Sequence, residues 1–395
     1  MSAEEAAGAA APGAAPGGAP VFDVDALLAD RDTRIIVCCG SGGVGKTTTA
    51  AALGVRAAEH GRGAVVITVD PARRLAQSMG LTHLDNTPRP VPLPEADGAA
   101  PPGTLHAMML DMKRTFDEIV EAHADPERAR QILANPFYQS LSSSFSGTQE
   151  YMAMEKLGQL RQSGDWDLII VDTPPSRSAL DFLDAPKRLG RFLDSRLIRV
   201  LGAPPATGAF KLLGAGVSMV TGIIAKVVGA QVLSDVQRFV GAFDAVFGGF
   251  QERAERTYRL LQARGTGFVV VAAPEGDALR EAAYFIERLR RDRMPLAGVM
   301  LNRVHRAGVP GLAGDAALAA AAELAATGEH PLAGAALRLH AERARVAARE
   351  RLLMDRLAAA HPEVPAVEVW ARPEDVHDLA GLAEIGRALA GGAER

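Results

Sequence analysis

The chain has 395 residues and 48% of them are apolar, which suffices for one large α/β domain or two ordinary domains with a sizeable core. The formal net charge of −4 provides no strong field that would favour nucleic acid or an anionic membrane as a partner. The only two cysteines, Cys38 and Cys39, are neighbours in an apolar run. Since neighbours in a strand point to opposite faces, we interpret them as small core residues rather than as a redox or metal site.

The chain begins with an Ala/Gly/Pro-rich tract, and residues 1–30 are predicted to be a disordered tail. This stretch has neither the basic start nor the continuous apolar core of a secretory signal. A cytoplasmic protein is therefore predicted.

The first strong motif lies between a short apolar run, Ile35–Cys39, and a helix predicted over Thr47–His60. It reads GSGGVGKT and matches G-x-x-x-x-G-K-[ST] in full. Its glycines let backbone N–H groups face phosphates, Lys46 offers a charge to the β- and γ-phosphates, and the Thr47 hydroxyl ligates Mg²⁺. The N-terminus of the following helix adds its positive dipole end. The predicted nucleotide-binding residues here are Gly40, Ser41, Gly42, Gly43, Val44, Gly45, Lys46, Thr47 and Thr48.

Seven apolar runs punctuate the chain, and most are continuous rather than alternating, which is typical of parallel strands buried on both faces. Helical patterns separate them, so the sequence predicts a doubly wound α/β fold with a mostly parallel sheet. The predicted strands are Ile35–Cys39, Val65–Val69, Leu105–Leu110, Leu168–Val171, Phe268–Ala272, Ala297–Leu301 and Val367–Trp370.

Two insertions interrupt this alternation. The Pro-rich stretch Thr87–Gly103 is predicted to be a loop. Residues of roughly 113–160 and 180–260 are helical in pattern and predict an inserted α-helical subdomain. Within it, the apolar stretch Gly208–Leu233 is interrupted by Lys211 and Lys226, so it is too short to span a membrane. An Arg/Glu-rich segment, Leu337–Leu357, predicts a solvated amphipathic helix.

Two predicted strands end in aspartate, Asp70 and Asp172. The placement of Asp172 after LIIV is that of an acid that organises Mg²⁺ beside a phosphate loop. The alternative for each is a helix cap or turn residue. Because the phosphate loop ends a neighbouring strand, the functional interpretation is favoured.

These motifs resemble the ArsA-type branch of the deviant-Walker-A P-loop ATPases, which includes the arsenite-pump ATPase and the guided-entry ATPase that targets tail-anchored membrane proteins. The resemblance covers nearly all of residues 31–395, the predicted P-loop ATPase domain. It rests on GSGGVGKTTTA, on VDPARRLAQSMG, which is similar to switch I, and on VDTPPSRSALDFL, which is similar to switch II. Glu150 matches the acid of a further helix start. Weaker matches place Asn302 of VMLNR against adenine, and Arg372 and Pro373 of ARPEDVHDL in the loop that closes over the base.

The resemblance implies an ATPase that uses ATP/ADP and Mg²⁺ and works as a dimer that opens and closes. It implies catalytic roles for Lys46 and for Asp70, which would polarise the attacking water. It implies Mg²⁺ held by Thr47, Asp70 and Asp172. It gives no expectation of zinc or an Fe–S cluster, because the chain lacks the C-x-x-C pairs of the targeting ATPase. The chain also lacks the cysteine triad of the arsenite pump, so arsenite binding is not expected.

The deviant loop reads K-G-G-V-G-K-[ST] in this family, and its first lysine reaches across the dimer, whereas this chain has Ser41 there. Lys46 is the only lysine before Lys113, so no sequence neighbour replaces it. A paralogous subunit can supply the lysine in trans, or the chain can bind nucleotide with little hydrolysis of its own. A third explanation is a substituting arginine: Arg73, Arg74 or Arg177. We favour the paralogous partner over self-association, because the chain resembles one member of the paired bacterial ArsA-like ATPases.

The apolar segment Gly208–Leu233 and the helix bearing Met152 and Met154 either line a groove for an apolar client or pack a core or interface. The second interpretation is favoured because most apolar stripes are buried. A different class, the Min/Par partitioning ATPases, binds membrane or DNA. The C-terminal helix here is weakly amphipathic and not basic, so nucleic acid is not expected and membrane contact is at most peripheral. No acid/base cluster supports a P-loop kinase or synthetase.

Overall fold

The structure is a computed structural model that describes residues 18–69, 73–94, 102–136, 138–139, 148–174, 250–328 and 330–391. The chain divides into two compact units. Within the described ranges, the first unit comprises residues 18–69, 73–94, 102–109, 164–174, 261–328 and 330–391, and the second comprises residues 110–136, 138–139, 148–163 and 250–260.

The first unit is built on one eight-stranded sheet with the order β3-β4-β2-β5-β1-β6-β7-β8. Every pairing is parallel except β3 with β4. The predicted α/β class with a mostly parallel sheet is confirmed. The strands are β1 Ile35–Cys39, β2 Gly63–Thr68, β3 Arg89–Pro90, β4 Thr104–Met109, β5 Leu168–Asp172, β6 Thr266–Ala272, β7 Leu296–Val304 and β8 Ala366–Trp370.

The central strands are buried along their whole length, as their continuous apolar sequences predict: every residue of β1, β5 and β6 is buried. The register aligns their carboxyl ends. Cys38 of β1 pairs with Asp172 of β5 on one side and with Val269 of β6 on the other. The loop that leaves β1 therefore begins beside the end of β5, which positions the functional site.

Helices cover the sheet and form the second unit. In chain order they are α1 Val24–Ala29, α2 Lys46–Glu59, α3 Arg73–Ser78, α4 Met112–His123, α5 Pro126–Leu133, α6 Thr148–Ser163, α7 Phe250–Gln262, α8 Gly276–Arg291, α9 Gly314–Thr327, α10 Pro331–Ala360 and α11 Leu379–Leu389. Helix α2 packs closely because its inner face is small: Ala50, Ala51 and Ala52 are fully buried. Its neighbour α11 covers it with Leu382 and Leu389, which are also buried.

Within the predicted 1–30 tail, the described residues include a helix, Val24–Ala29, and a backbone contact with β8. Asp23 caps α1 by accepting a hydrogen bond from the Ala26 N–H, and Val24 and Leu28 are fully buried. The Phe22 N–H donates to the Ala366 carbonyl of β8 at 2.9 Å. The boundary was wrong because two or three apolar residues after a low-complexity tract carry little periodic signal, although they pack against the sheet edge.

The structure also changes the bounds of a predicted loop and of a predicted helix. The segment Thr87–Gly103 is not all loop, because Arg89–Pro90 forms a short antiparallel edge strand. Proline is tolerated there since an edge strand leaves some N–H groups without ladder partners. The helix predicted over Leu337–Leu357 extends over Pro331–Ala360.

The second unit contains α4, α5, α6 and the start of α7. Its helices are joined by partly buried ion pairs: Lys156 Nζ lies 3.0 Å from Glu118 Oε2, and Arg253 Nε lies 3.0 Å from Glu155 Oε1. The apolar segment Gly208–Leu233 lies outside the described residues. Among the helices that the structure describes, none combines the length and apolar character needed to cross a membrane.

Candidate functional site

The loop from Gly40 to Gly45 leaves β1 and turns directly into α2. Gly45 has φ 95°, and a Cβ there would lie 2.3 Å from Asn302 Nδ2. At Gly40 a Cβ would lie 2.1 Å from the Val271 carbonyl oxygen of β6. Gly40 leaves no room for a side chain because the β6 backbone is too close, whereas Gly45 favours glycine because its backbone is left-handed and the Asn302 amide lies against it. The glycine spacing of the motif is therefore a packing requirement of this loop.

Lys46 is the first residue of α2 and is only 6% exposed. Its Nζ donates to the Ser41 carbonyl oxygen at 2.8 Å, so the ammonium group lies across the loop from which it emerges. The start of α2 carries no side-chain cap. The free backbone N–H groups of an uncapped helix start supply hydrogen-bond donors, and the lysine supplies positive charge. This combination suits an anion.

Asp172 lies at the carboxyl end of β5 and is completely buried. Its Oδ2 accepts from Thr47 Oγ1 at 2.7 Å and from Thr68 Oγ1 at 2.9 Å. The carboxylate thus links the first turn of α2 to the end of β2. A carboxylate beside the threonine hydroxyl of a phosphate loop is the oxygen-rich arrangement that Mg²⁺ binds.

Several predicted residues lie outside the described part of the chain. They are Asp70, Arg177, and the side chains of Arg73, Arg74 and Glu150. Val69, which precedes Asp70, is buried, and its N–H donates to the Asp172 carbonyl oxygen at 3.2 Å.

The opposite flank of the loop is held by the end of β7. Asn302 Nδ2 donates to the Val44 carbonyl oxygen at 2.8 Å, and Arg303 donates to the Gly43 carbonyl oxygen at 3.0 Å. A carbonyl only accepts, so the Val44 contact fixes the Asn302 amide with its NH₂ on the loop and its Oδ1 turned away. Asn302 was predicted to lie at the nucleotide, and it contacts the loop itself.

Arg372 and Pro373 follow β8. Arg372 pairs with Glu384 of α11, and Pro373 is exposed. Among described residues, neither has a hydrogen bond to the loop. Thr48 lies in the first turn of α2 and is half-buried.

Ser41 occupies the position that carries lysine in the family's motif. Its Oγ is buried and has no hydrogen-bond partner among the described residues, while its carbonyl holds Lys46. The serine side chain therefore turns into the protein, whereas a lysine at the same position would have to extend outward to place its charge.

The cysteines lie in the strand that leads into the loop, and both are buried. Burial raises the pKa of the Cys39 thiol to about 12. Burial, reinforced by the Asp172 charge, raises the pKa of the Cys38 thiol well above its usual range. Both thiols stay protonated at neutral pH, so neither is a soft metal ligand or a nucleophile in this fold.

Two site residues were absent from the sequence prediction, Thr68 and Arg303. The signal for Thr68 is a hydroxyl within the apolar run AVVIT, two residues before Asp70. Arg303 follows Asn302 directly, but in a regular strand it would point to the other face, so no local pattern predicts its contact.

The sequence profile of the ArsA family, described as an anion-transporting ATPase, matches residues 33–309. The chain is 29% identical to ATPase GET3 of Malassezia globosa, over 53% of this chain and 60% of that protein. It is 26% identical to ATPase GET3 of Podospora anserina, over 71% and 76% of the two lengths. It is 26% identical to ATPase ARSA2 of Chlamydomonas reinhardtii, over 69% and 68%.

The matched region includes the phosphate loop, Asp172 and Asn302. The residues of the candidate site therefore lie within the part of the chain that matches the family. The chain belongs to the ArsA family of ATPases.

Proposed function

We propose that this chain is an ATP-driven switch that acts as one half of a dimer, in which a paralogous subunit supplies the cation that Ser41 does not. The observation that carries the proposal is the Ser41 side chain, whose oxygen is buried in the loop beside the carbonyl that holds Lys46. Arg303 contacts the loop on the flank away from Asp172, so it does not replace that cation.

The loop has the features that Mg-ATP requires. Its N–H groups, the uncapped start of α2 and Lys46 suit the phosphates, while Thr47 and Asp172 suit the metal. When bound, Mg²⁺ neutralises charge on the phosphate oxygens. Asp70 is proposed to orient the attacking water, as the similarity of VDPARRLAQSMG to switch I implies.

Asn302 is proposed to select adenine. Its Oδ1 is turned away from the loop and accepts from the 6-amino group of adenine, whereas the 6-oxo group of hypoxanthine offers no donor. We expect the wild-type chain to bind ATP about ten-fold more tightly than ITP, and Asn302→Ala to reduce that preference to near unity. Calorimetry with both nucleotides measures the ratio of the ATP and ITP affinities. General damage to the loop would weaken both affinities alike and leave this ratio unchanged. An unchanged ratio in the variant would rule out base selection by Asn302.

The dimer proposal is tested by phosphate release. The isolated chain is expected to hydrolyse ATP at least about ten-fold more slowly than a mixture with a related subunit that has lysine at the Ser41 position, since a cation supplied in trans stabilises the transferring phosphoryl group. Affinity purification from the native cell identifies that subunit, and sedimentation measures the complex. A homodimer that is as fast alone as in any mixture would exclude the asymmetric pair.

The proposal extends to an apolar client handled by the helical unit, in the cytoplasm. Met152 and Met154 are fully buried, which favours the core interpretation for both, so a client surface would have to come from other residues of that unit. The partitioning alternative loses support because the C-terminal helix α11 buries Leu382, Ile385 and Leu389 in the sheet unit.

A further inference from the structure

The last residues of β7 depart from strand geometry where they meet the phosphate loop. Asn302 and Arg303 are consecutive, yet they donate to consecutive loop carbonyls, those of Val44 and Gly43. Neighbouring side chains of a regular strand point to opposite faces. Here Arg303 has φ 62°, and the pairing of β7 with β8 shifts register between Leu301 and Val304. The distortion brings both side chains to the same loop.

This conformation is energetically unfavourable for arginine. A left-handed backbone is uncommon outside glycine, and residues that keep it cluster at ligand sites. Packing does not explain it, because the Arg303 side chain is exposed. Its contact with the Gly43 carbonyl uses only one of the five N–H donors of the guanidinium.

The strand order places Arg303 on the nucleoside side of the loop. Asp172 ends β5, on one side of β1, while Arg303 lies on β7, beyond β6 on the other side. The metal and terminal phosphate belong beside Asp172 and Thr47, so the nucleoside of a bound triphosphate extends away from them. A planar guanidinium on that flank is suited to stack on an aromatic ring.

We infer that Arg303 is a nucleobase-stacking residue that also braces the loop through Gly43. The inference rests on the proposed binding of ATP at this loop. The brace orients the guanidinium plane, and the exposed face of that plane contacts the purine. Such a contact recognises the base as an aromatic surface and is independent of the adenine selection assigned to Asn302.

The test compares ATP with ribose 5-triphosphate, which has the phosphates and sugar but no base. Calorimetry with Mg²⁺ is expected to show that Arg303→Gln weakens ATP binding by roughly ten-fold and ribose 5-triphosphate binding by less than about two-fold. Arg303→Lys keeps the charge and the reach to Gly43 but lacks the plane, so it is expected to recover only part of the ATP affinity.

Arg293 provides a matched control. It is also an exposed arginine with a left-handed backbone, φ 56°, but it precedes β7 at the opposite edge of the sheet. Arg293→Gln is expected to leave both affinities unchanged. Glycine adopts a left-handed backbone without steric strain, so Arg303→Gly and Arg293→Gly are both expected to keep or raise the melting temperature. Only Arg303→Gly is expected to lose ATP affinity.

Three results would overturn the inference. The first is an equal loss of affinity for ATP and for ribose 5-triphosphate in Arg303→Gln, which would mean bracing or charge alone, and the second is no loss of affinity for either ligand. A fall in kcat with unchanged ATP affinity would also overturn it, since that would place the guanidinium at the transferring phosphate. If the wild-type chain binds neither ligand, the nucleotide site itself is wrong, which is a distinguishable outcome.

Discussion

Replacing Asp172 with asparagine is expected to reduce ATP hydrolysis by on the order of 100-fold, the scale of removing one group that stabilises transition-state charge. The substitution keeps the size of the side chain and an oxygen that can accept from Thr47 and Thr68, but it removes the negative charge that Mg²⁺ requires. Phosphate release at saturating Mg-ATP measures the effect.

Binding measurements separate the metal from the fold. Magnesium should tighten ATP binding to the wild-type chain, and Asp172→Asn should lose that increment while keeping its affinity for metal-free ADP, which depends on Lys46 and the loop. The variant should remain folded, because burying a neutral amide is easier than burying a charge.

Asp167 supplies the control for that experiment. It directly precedes β5, at the amino-terminal ends of the parallel strands and so at the end opposite Asp172. Its Oδ2 accepts from the Gly63 N–H at 3.0 Å. Asp167→Asn changes the same chemical group next to the opposite end of the same strand, so the variant's hydrolysis rate should match that of wild type. If Asp172→Asn retained the magnesium-dependent affinity, Asp172 would not be part of the metal site.

The second large effect concerns Ser41. A chain carrying both Ser41→Lys and Lys46→Met can offer a lysine to a partner but cannot use its own phosphate loop, whereas wild type has an intact loop without that lysine. Their mixture is expected to hydrolyse ATP at least about ten-fold faster than either protein alone, because a cation donated in trans is worth several orders of magnitude in phosphoryl transfer.

Ser41→Met tests whether charge or bulk is responsible. Its side chain is about as long as the lysine stem but neutral, so a Ser41→Met/Lys46→Met chain mixed with wild type should give no acceleration. Melting curves for all the variants check the fold, since the Ser41 Oγ is buried and a longer side chain must leave that position. Wild type that is already as fast as the mixture would refute the requirement for a trans lysine.

Much of the site was predictable because the relevant signals are local. The glycine spacing from Gly40 to Gly45 reports a backbone that must curl, and Lys46 and Thr47 follow directly. The apolar run before Asp172 reports a strand buried on both faces. Each of these patterns depends on a few consecutive residues, so the sequence carries it without reference to the rest of the chain.

The contacts between distant segments were not predictable in the same way. Thr68 reaches Asp172 because β2 and β5 are neighbours in register, and their sequence separation is 104 residues. Arg303 reaches Gly43 through a left-handed backbone at the end of β7, across 260 residues of sequence. The burial of Val24 and Leu28 likewise depends on what packs over them.

The sequence alone therefore determined the class of fold, the phosphate loop and the acid that ends β5, since hydrophobic continuity and glycine spacing are properties of short segments. Only the tertiary structure decided which flank of the loop lies beside Asp172 and which lies beside Asn302 and Arg303. That choice follows from the order β5-β1-β6-β7, which arises from how strands pair across the whole chain.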